Sequence, residues 1–157
     1  MPSDFDQLVH QHVARIRRIA LRYAATAAVD DLVQDILVRL WRSYPRFRSD
    51  AKIETWIYKV ALNAAMTYVK HAIREREGLA AVVARSAGAA AAQAATSMAD
   101  VLTSFLAMLG DVDAAILMMY LDGLTAEEMS GILGINGNAI AVRISRLKQK
   151  FSDTYVD

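Results

Sequence analysis

The 157-residue chain is 55% apolar, carries a formal net charge of +1 and has no cysteine. That length and apolar content suffice for one ordinary domain or two very small ones, and the missing cysteines exclude disulfide frameworks and thiolate metal sites. No charged-then-apolar leader opens the chain and no apolar run reaches the length of a membrane span, so a cytoplasmic protein with no membrane insertion is expected.

Ala, Leu, Ile, Arg and Met dominate, and β-branched residues do not alternate, so the expected fold is all-α. In chain order, Phe5–Ala25 places Val9, Val13, Ile16, Ala20 and Tyr23 at a helical period, with Arg15, Arg18 and Arg22 on the opposite side. A second helix is expected from Asp30, a good N-cap type, through Leu32, Ile36, Leu40 and Trp41. It should stop at Tyr44, because Pro45 disfavours helical backbone before it. Pro45–Lys52 is polar and basic without helical period. A third helix is expected over Ile53–Glu75. Leu79–Ala99 is Ala-dominated and contains no acid; it reads as a flexible linker. Beyond it, Ala99–Leu109 and Ala114–Leu121 look helical, and Asp122-Gly123 is a turn signal. Thr125-Ala126-Glu127-Glu128 is a capping box. The helix it opens should end at Gly134. Asn136 can cap a last helix whose inner stripe is Ile140, Ile144, Leu147 and Phe151. The organisation is therefore two small helical domains, 1–77 and 100–157, joined by a linker over 78–99.

Charge is distributed unevenly. Residues 1–78 hold 13 Lys/Arg against 9 Asp/Glu, and residues 100–157 hold 4 against 8. All four cations of that acidic half, Arg143, Arg146, Lys148 and Lys150, fall on the last helix, which focuses positive charge where a DNA-facing helix would use it. Two helices joined by a short Gly-containing turn, the second one basic, describe a helix-turn-helix. Asn138, Ala139, Val142, Arg143, Ser145 and Arg146 are expected on its open side, with Asn136 and the helix N-terminus available to a phosphate.

On the third helix, Ile57, Ala61, Ala64 and Tyr68 share one face. Lys59, Asn63, Met66, Lys70 and Arg74 share the other, with Trp56 at its edge. Cations, an amide and an aromatic together suit the backbone and unstacked bases of a separated strand, although a solvated face reads the same pattern equally well. The second helix should expose Asp31, Gln34, Asp35, Val38 and Arg42, a mixture that fits a protein partner or plain surface. No HExxH, Gly-rich phosphate loop or Ser/His/Asp framework occurs, so neither enzyme chemistry nor a metal or other cofactor is expected.

The order and spacing of Asp30-Asp31-Leu32-Val33-Gln34-Asp35, Leu40-Trp41, Phe47-Arg48-Ser49-Asp50 and Thr55-Trp56-Ile57-Tyr58-Lys59-Val60-Ala61-Leu62-Asn63 resemble the extracytoplasmic-function (ECF) sigma factors of bacterial RNA polymerase. So do Tyr120–Glu128, Ile132-Leu133-Gly134-Ile135 and Asn138–Arg146. The resemblance implies sigma region 2 over 1–77 and region 4 over 100–157. It implies docking of Asp31, Gln34, Asp35, Val38 and Arg42 on the β′ clamp helices of core RNA polymerase, with further contact to the β subunit. The −10 element would meet Phe47, Arg48, Ser49, Asp50, Lys52, Trp56, Lys59, Asn63, Lys70 and Arg74. The −35 element would meet Asn136, Asn138, Ala139, Val142, Arg143, Ser145 and Arg146. Control by an anti-sigma factor is implied as well. Two other readings are set beside it: a stand-alone helix-turn-helix regulator, which would bind duplex DNA by itself, and a helical adaptor that does not use DNA.

Overall fold

The computed structural model describes residues 4–47, 51–76 and 97–156, and these form helices and turns with no strand among the described residues. The chain divides into two compact units, Met1–Glu75 and Arg76–Asp157. The 78–99 connector lies outside the described residues as far as 96, and its last three residues already belong to the second unit's first helix and its cap.

Unit 1 contains α1 (Asp4–Tyr23), α2 (Val29–Ser43) and α3 (Ile53–Arg76), with one-turn 3₁₀ segments at Thr26–Ala28 and Tyr44–Arg46. α1 lies along α2. The buried stripe of α1 is Leu8, Ile16, Ile19, Ala20 and Tyr23; Val13, expected inside, is 42% exposed. The sequence supports two overlapping stripes at 3.6-residue spacing, and packing against α2 selects the one that carries the larger Leu and Ile side chains. Val29, Leu32, Ile36 and Leu40 complete the α1–α2 contact from the other side.

Asp30 is not the cap of α2. The helix starts one residue earlier, with Ala28 at the cap and no side-chain cap bond. Asp30 stands inside the first turn, where its charge faces the helix N-terminus, and it pairs with Arg17 at 3.1 Å. Both partners are exposed, so the pair contributes little. At the other end Pro45 converts the chain into the 3₁₀ turn, and the Ser43 hydroxyl donates back to the carbonyl of Arg39 at 2.9 Å. α3 buries Ile57, Tyr58, Ala61, Leu62, Ala64 and Ala65, a broader face than the four residues expected, and Tyr68 is only half-buried.

Unit 2 contains α4 (Met98–Met108), α5 (Asp111–Leu121), α6 (Ala126–Leu133) and α7 (Gly137–Tyr155). Ser97 caps α4 by accepting from the Asp100 N–H at 3.1 Å. α5 begins three residues before the expected Ala114, because Asp111 and Asp113 favour the first turn after Gly110. It buries Ala114, Ala115, Ile116, Met118 and Met119 around much of its girth, which fits a helix that packs on both α4 and α7. Phe105 of α4 is fully buried, edge-on to Phe151 at 5.2 Å and to Tyr155 at 6.0 Å.

The turns of unit 2 follow the sequence closely. Gly123 takes φ 85° in the α5–α6 turn and Gly134 takes φ 71° at the end of α6, a left-handed conformation that glycine adopts without steric cost. The capping box is complete: Thr125 Oγ1 accepts from the Glu128 N–H at 3.1 Å, and Glu128 Oε1 accepts from the Thr125 N–H at 2.9 Å. Thr125→Ala is expected to lower stability by about 1 kcal/mol, with Thr125→Ser close to wild type; urea denaturation of both variants checks it.

Candidate nucleic-acid interfaces

On unit 1, the outer side of α2 exposes Asp31, Gln34, Asp35, Val38 and Arg42, opposite the buried Leu32–Ile36–Leu40 line. Val38 is 45% exposed, and Asp35 accepts from Arg39 at 3.2 Å one turn on. Sequence reasoning missed one residue of this surface. Trp41, taken with the inner line, is 63% exposed. The signal was present, since Gln34, Val38 and Trp41 stand at i, i+4 and i+7, which is one stripe of a helix. α2 therefore offers an apolar pair, Val38 and Trp41, ringed by two carboxylates, an amide and a guanidinium.

The opposite chemistry lies on α3. Lys59, Asn63, Lys70 and Arg74 are exposed along one side, and Met66 is half-buried between them. The Asn63 backbone carbonyl accepts from the Thr67 hydroxyl at 2.9 Å. Trp56 is half-buried at the start of this row. It does not stand free: Phe47 stacks on it with ring centroids 4.7 Å apart and planes at 30°. Tyr44 approaches it at 6.2 Å, and Phe5 of α1 meets Tyr44 at 5.4 Å. The four rings form a row that ties the end of α2 to the start of α3. One side of Trp56 is thus taken by Phe47. Lys52 is exposed near the start of α3. Arg48, Ser49 and Asp50 lie outside the described residues.

On unit 2, α6 and α7 form the expected helix-turn-helix. Asn136 caps α7, its Oδ1 accepting from the Asn138 N–H at 2.8 Å. Asn138, Ala139, Val142, Ser145 and Arg146 are exposed, Val142 by 48%. Arg143 departs from its expected place on the open side. It donates to Asp113 of α5 at 2.8 Å. Arg143 follows the fully buried Ile140 by three positions and precedes Ile144, so it rises from the edge of the inner stripe rather than from the outer face. Lys148 is also engaged, its ammonium lying 4.9 Å from the centroid of the Tyr120 ring.

Unit 2 also has a groove of about 210 Å³ between α4, α5 and α7, lined chiefly by Leu102, Phe105, Leu117, Ile144, Leu147 and Phe151, with Lys148 among its lining residues. Among the described residues no group of three His, Asp or Glu side chains is placed to hold a metal ion. No described helix is long and apolar enough to cross a membrane.

Comparison with known proteins agrees with this arrangement of helices. Residues 8–75 match the Sigma-70 region 2 family. The chain is 25% identical over 158 residues to the ECF RNA polymerase sigma-E factor of Escherichia coli (strain K12), spanning 92% of this chain and 83% of that protein. It is 26% identical over 160 residues to the ECF RNA polymerase sigma factor SigE of Mycolicibacterium smegmatis, spanning 98% and 62%. In fold it is similar to the sigma factor RpoE from Bartonella quintana, solved with the anti-sigma factor NepR, with a TM-score of 0.75, 19% identity and coverage of 96% and 95% of the two chains. CnrH, solved with the cytosolic domain of CnrY, is similar at a TM-score of 0.62 and 22% identity, covering 96% and 86%.

Proposed function

We propose that the chain is an RNA polymerase sigma factor of the extracytoplasmic-function type, and from that premise its surfaces divide the work. A sigma factor binds core RNA polymerase and directs it to promoters, and here two units carry two chemically different DNA-facing helices. The observation that carries the division is the pairing of a long cationic row on α3, flanked by stacked aromatics, with a helix-turn-helix whose second helix leads with small and polar side chains. The first suits a separated strand and the second suits a major groove.

In this reading α2 docks on the β′ clamp helices through Asp31, Gln34, Asp35, Val38 and Arg42, with Trp41 as the apolar anchor. An exposed aromatic that docking would bury inside a ring of polar groups is the usual make-up of an interface hot spot. Lys59, Asn63, Lys70 and Arg74, with Lys52, hold the non-template strand of the −10 element. Phe47 and Trp56 form the wall against which an unstacked base rests, and Arg48, Ser49 and Asp50 are assigned to the same −10 element by their place in the sequence. Asn136, Asn138, Ala139, Val142, Ser145 and Arg146 meet the −35 element. The apolar groove of unit 2 accepts an amphipathic helix of the β subunit. Promoter opening then needs no bond-making chemistry and no cofactor from this chain. The protein binds single-stranded −10 DNA better than the duplex and so shifts the equilibrium towards the open form. It works in the cytoplasm, where core polymerase is, under an anti-sigma factor of the kind seen with its structural neighbours.

The test is abortive transcription by purified core polymerase on a pool of promoter DNA, with and without the chain. Initiation that depends on the chain at a defined promoter set supports the assignment and supplies both recognition sequences. Duplex binding by the free chain with no association with core polymerase would replace it by a stand-alone regulator. On a promoter obtained this way, Arg146→Ala is expected to lower discrimination at one −35 position by about 1–3 kcal/mol if its guanidinium reads a base. Competition between matched and single-base-changed duplexes measures this. An even loss across sequences would mean a phosphate contact instead.

A further inference from the structure

We propose that Arg143 is a positioning residue, which with Asp113 sets the roll of the −35 helix without itself reading DNA. The inference rests on the reading of α7 as the −35 helix. Its guanidinium is held by the Asp113 carboxylate at 2.8 Å, across thirty residues of sequence. A second brace stands further along the same two helices, where Lys148 lies over the Tyr120 ring. Asp113 and Tyr120 are seven residues apart on α5, and at 100° per residue they lie within about 20° of one face, roughly 10 Å apart along the axis. Arg143 and Lys148 flank the stripe of Ile144 and Leu147, on either side of it. The apolar stripe supplies the contact between α5 and α7, but apolar contact is non-directional. The two polar braces on its flanks define the angle.

The angle matters for base readout. At a side-chain radius of about 5–6 Å, a roll of about 20° displaces a reading group by roughly 2 Å, more than the whole span of good hydrogen-bond distances. The groups displaced would be those of Asn138, Val142, Ser145 and Arg146. The Arg143 and Asp113 side chains are 42% and 35% exposed, so the pair adds little to global stability. Its loss is therefore expected to disturb readout more than folding.

The sign of one substitution separates positioning from direct contact. Asp113→Asn removes a negative charge close to the DNA-reading helix, which by general electrostatics strengthens binding to a polyanion. Positioning predicts the reverse. The measurement uses holoenzyme assembled from core polymerase and the full chain, on promoter duplexes selected as above, with affinity and the preference at each −35 position read at several salt concentrations. Asp113→Asn and Arg143→Gln are each expected to weaken promoter binding on the order of three- to tenfold and to flatten −35 preference, with combined loss no larger than the greater single loss. The salt dependence should stay at its wild-type slope, because no phosphate contact is lost. The reversed pair, Asp113→Arg with Arg143→Asp, should recover most of the preference, an outcome that neither a DNA contact nor general destabilisation produces. Tighter binding by Asp113→Asn, together with a salt slope lowered by about one in Arg143→Gln, would overturn the proposal and make Arg143 a phosphate ligand. Melting temperatures well below wild type in the single variants, without recovery in the reversed pair, would overturn it in favour of a structural role. Arg146→Ala tests the underlying reading separately: if neither it nor Val142→Ala changes −35 preference or affinity, α7 is not the −35 helix and the proposal falls with that reading.

Discussion

Holoenzyme carrying Trp56→Ala is expected to form roughly 5- to 150-fold less open complex at a given promoter, because a base–aromatic stack is worth about 1–3 kcal/mol. Binding of the variant to core polymerase should stay near wild type, since Trp56 stands on α3 and the proposed docking surface is on α2. The structure adds a second expectation. Phe47 covers one side of the indole, so the ring is held at a fixed angle and presents its remaining surface. Phe47→Leu, which keeps apolar volume but removes the stacking partner, is expected to reduce opening less than Trp56→Ala and in the same direction. Permanganate footprinting of unpaired thymines measures opening, and a sizing column measures association with core. Equal loss of association and opening in Trp56→Ala would contradict the assignment of this ring to the −10 strand.

Phe105→Ala is expected to destabilise the chain by about 3–5 kcal/mol, the usual cost of removing a large aromatic from a packed core. Phe105 is fully buried and meets both Phe151 and Tyr155 edge-on, an arrangement that stabilises beyond the area it buries. It reaches from α4 to the far end of α7, where the Tyr155 hydroxyl also meets Met108 Sδ at 3.8 Å. Its truncation should therefore loosen the packing that orients α7 as well as lower the unfolding midpoint. Phe105→Leu, which retains most of the volume, should recover more than half of the loss. Guanidinium denaturation followed by circular dichroism gives the stability, and a midpoint within the error of wild type for Phe105→Ala would contradict the packing described.

Much of the molecule follows from local chemistry alone. Helix starts and stops in unit 2 are set by residues a few positions apart: Thr125 with Glu128, Asn136 with Asn138, and the glycines at 123 and 134. Each of these is a contact within one turn, or a φ value that one residue type tolerates, so sequence suffices to place it. The polar row Lys59, Asn63, Lys70 and Arg74 and the outer face of α2 follow in the same way, since helical period alone assigns residues to faces. What local chemistry does not settle is which of two similar faces turns inward and which cations are already spoken for. Val13 and Leu8 both fit a helical stripe on α1, and contact with α2 decides between them. Trp41 has the composition of a core residue, yet it follows the buried Leu40 by about 100° of rotation and is 63% exposed. Asp30 has the chemistry of a cap, but the helix gains a residue before it because Val29 buries against the core. Arg143 and Arg146 are indistinguishable as residue types on one basic helix. Only the tertiary structure brings Asp113, thirty residues earlier, to the first and not to the second. The reason is one of range: capping and periodicity act over one or two turns, whereas the neutralisation of a charge and the roll of a helix depend on whatever the fold places beside it.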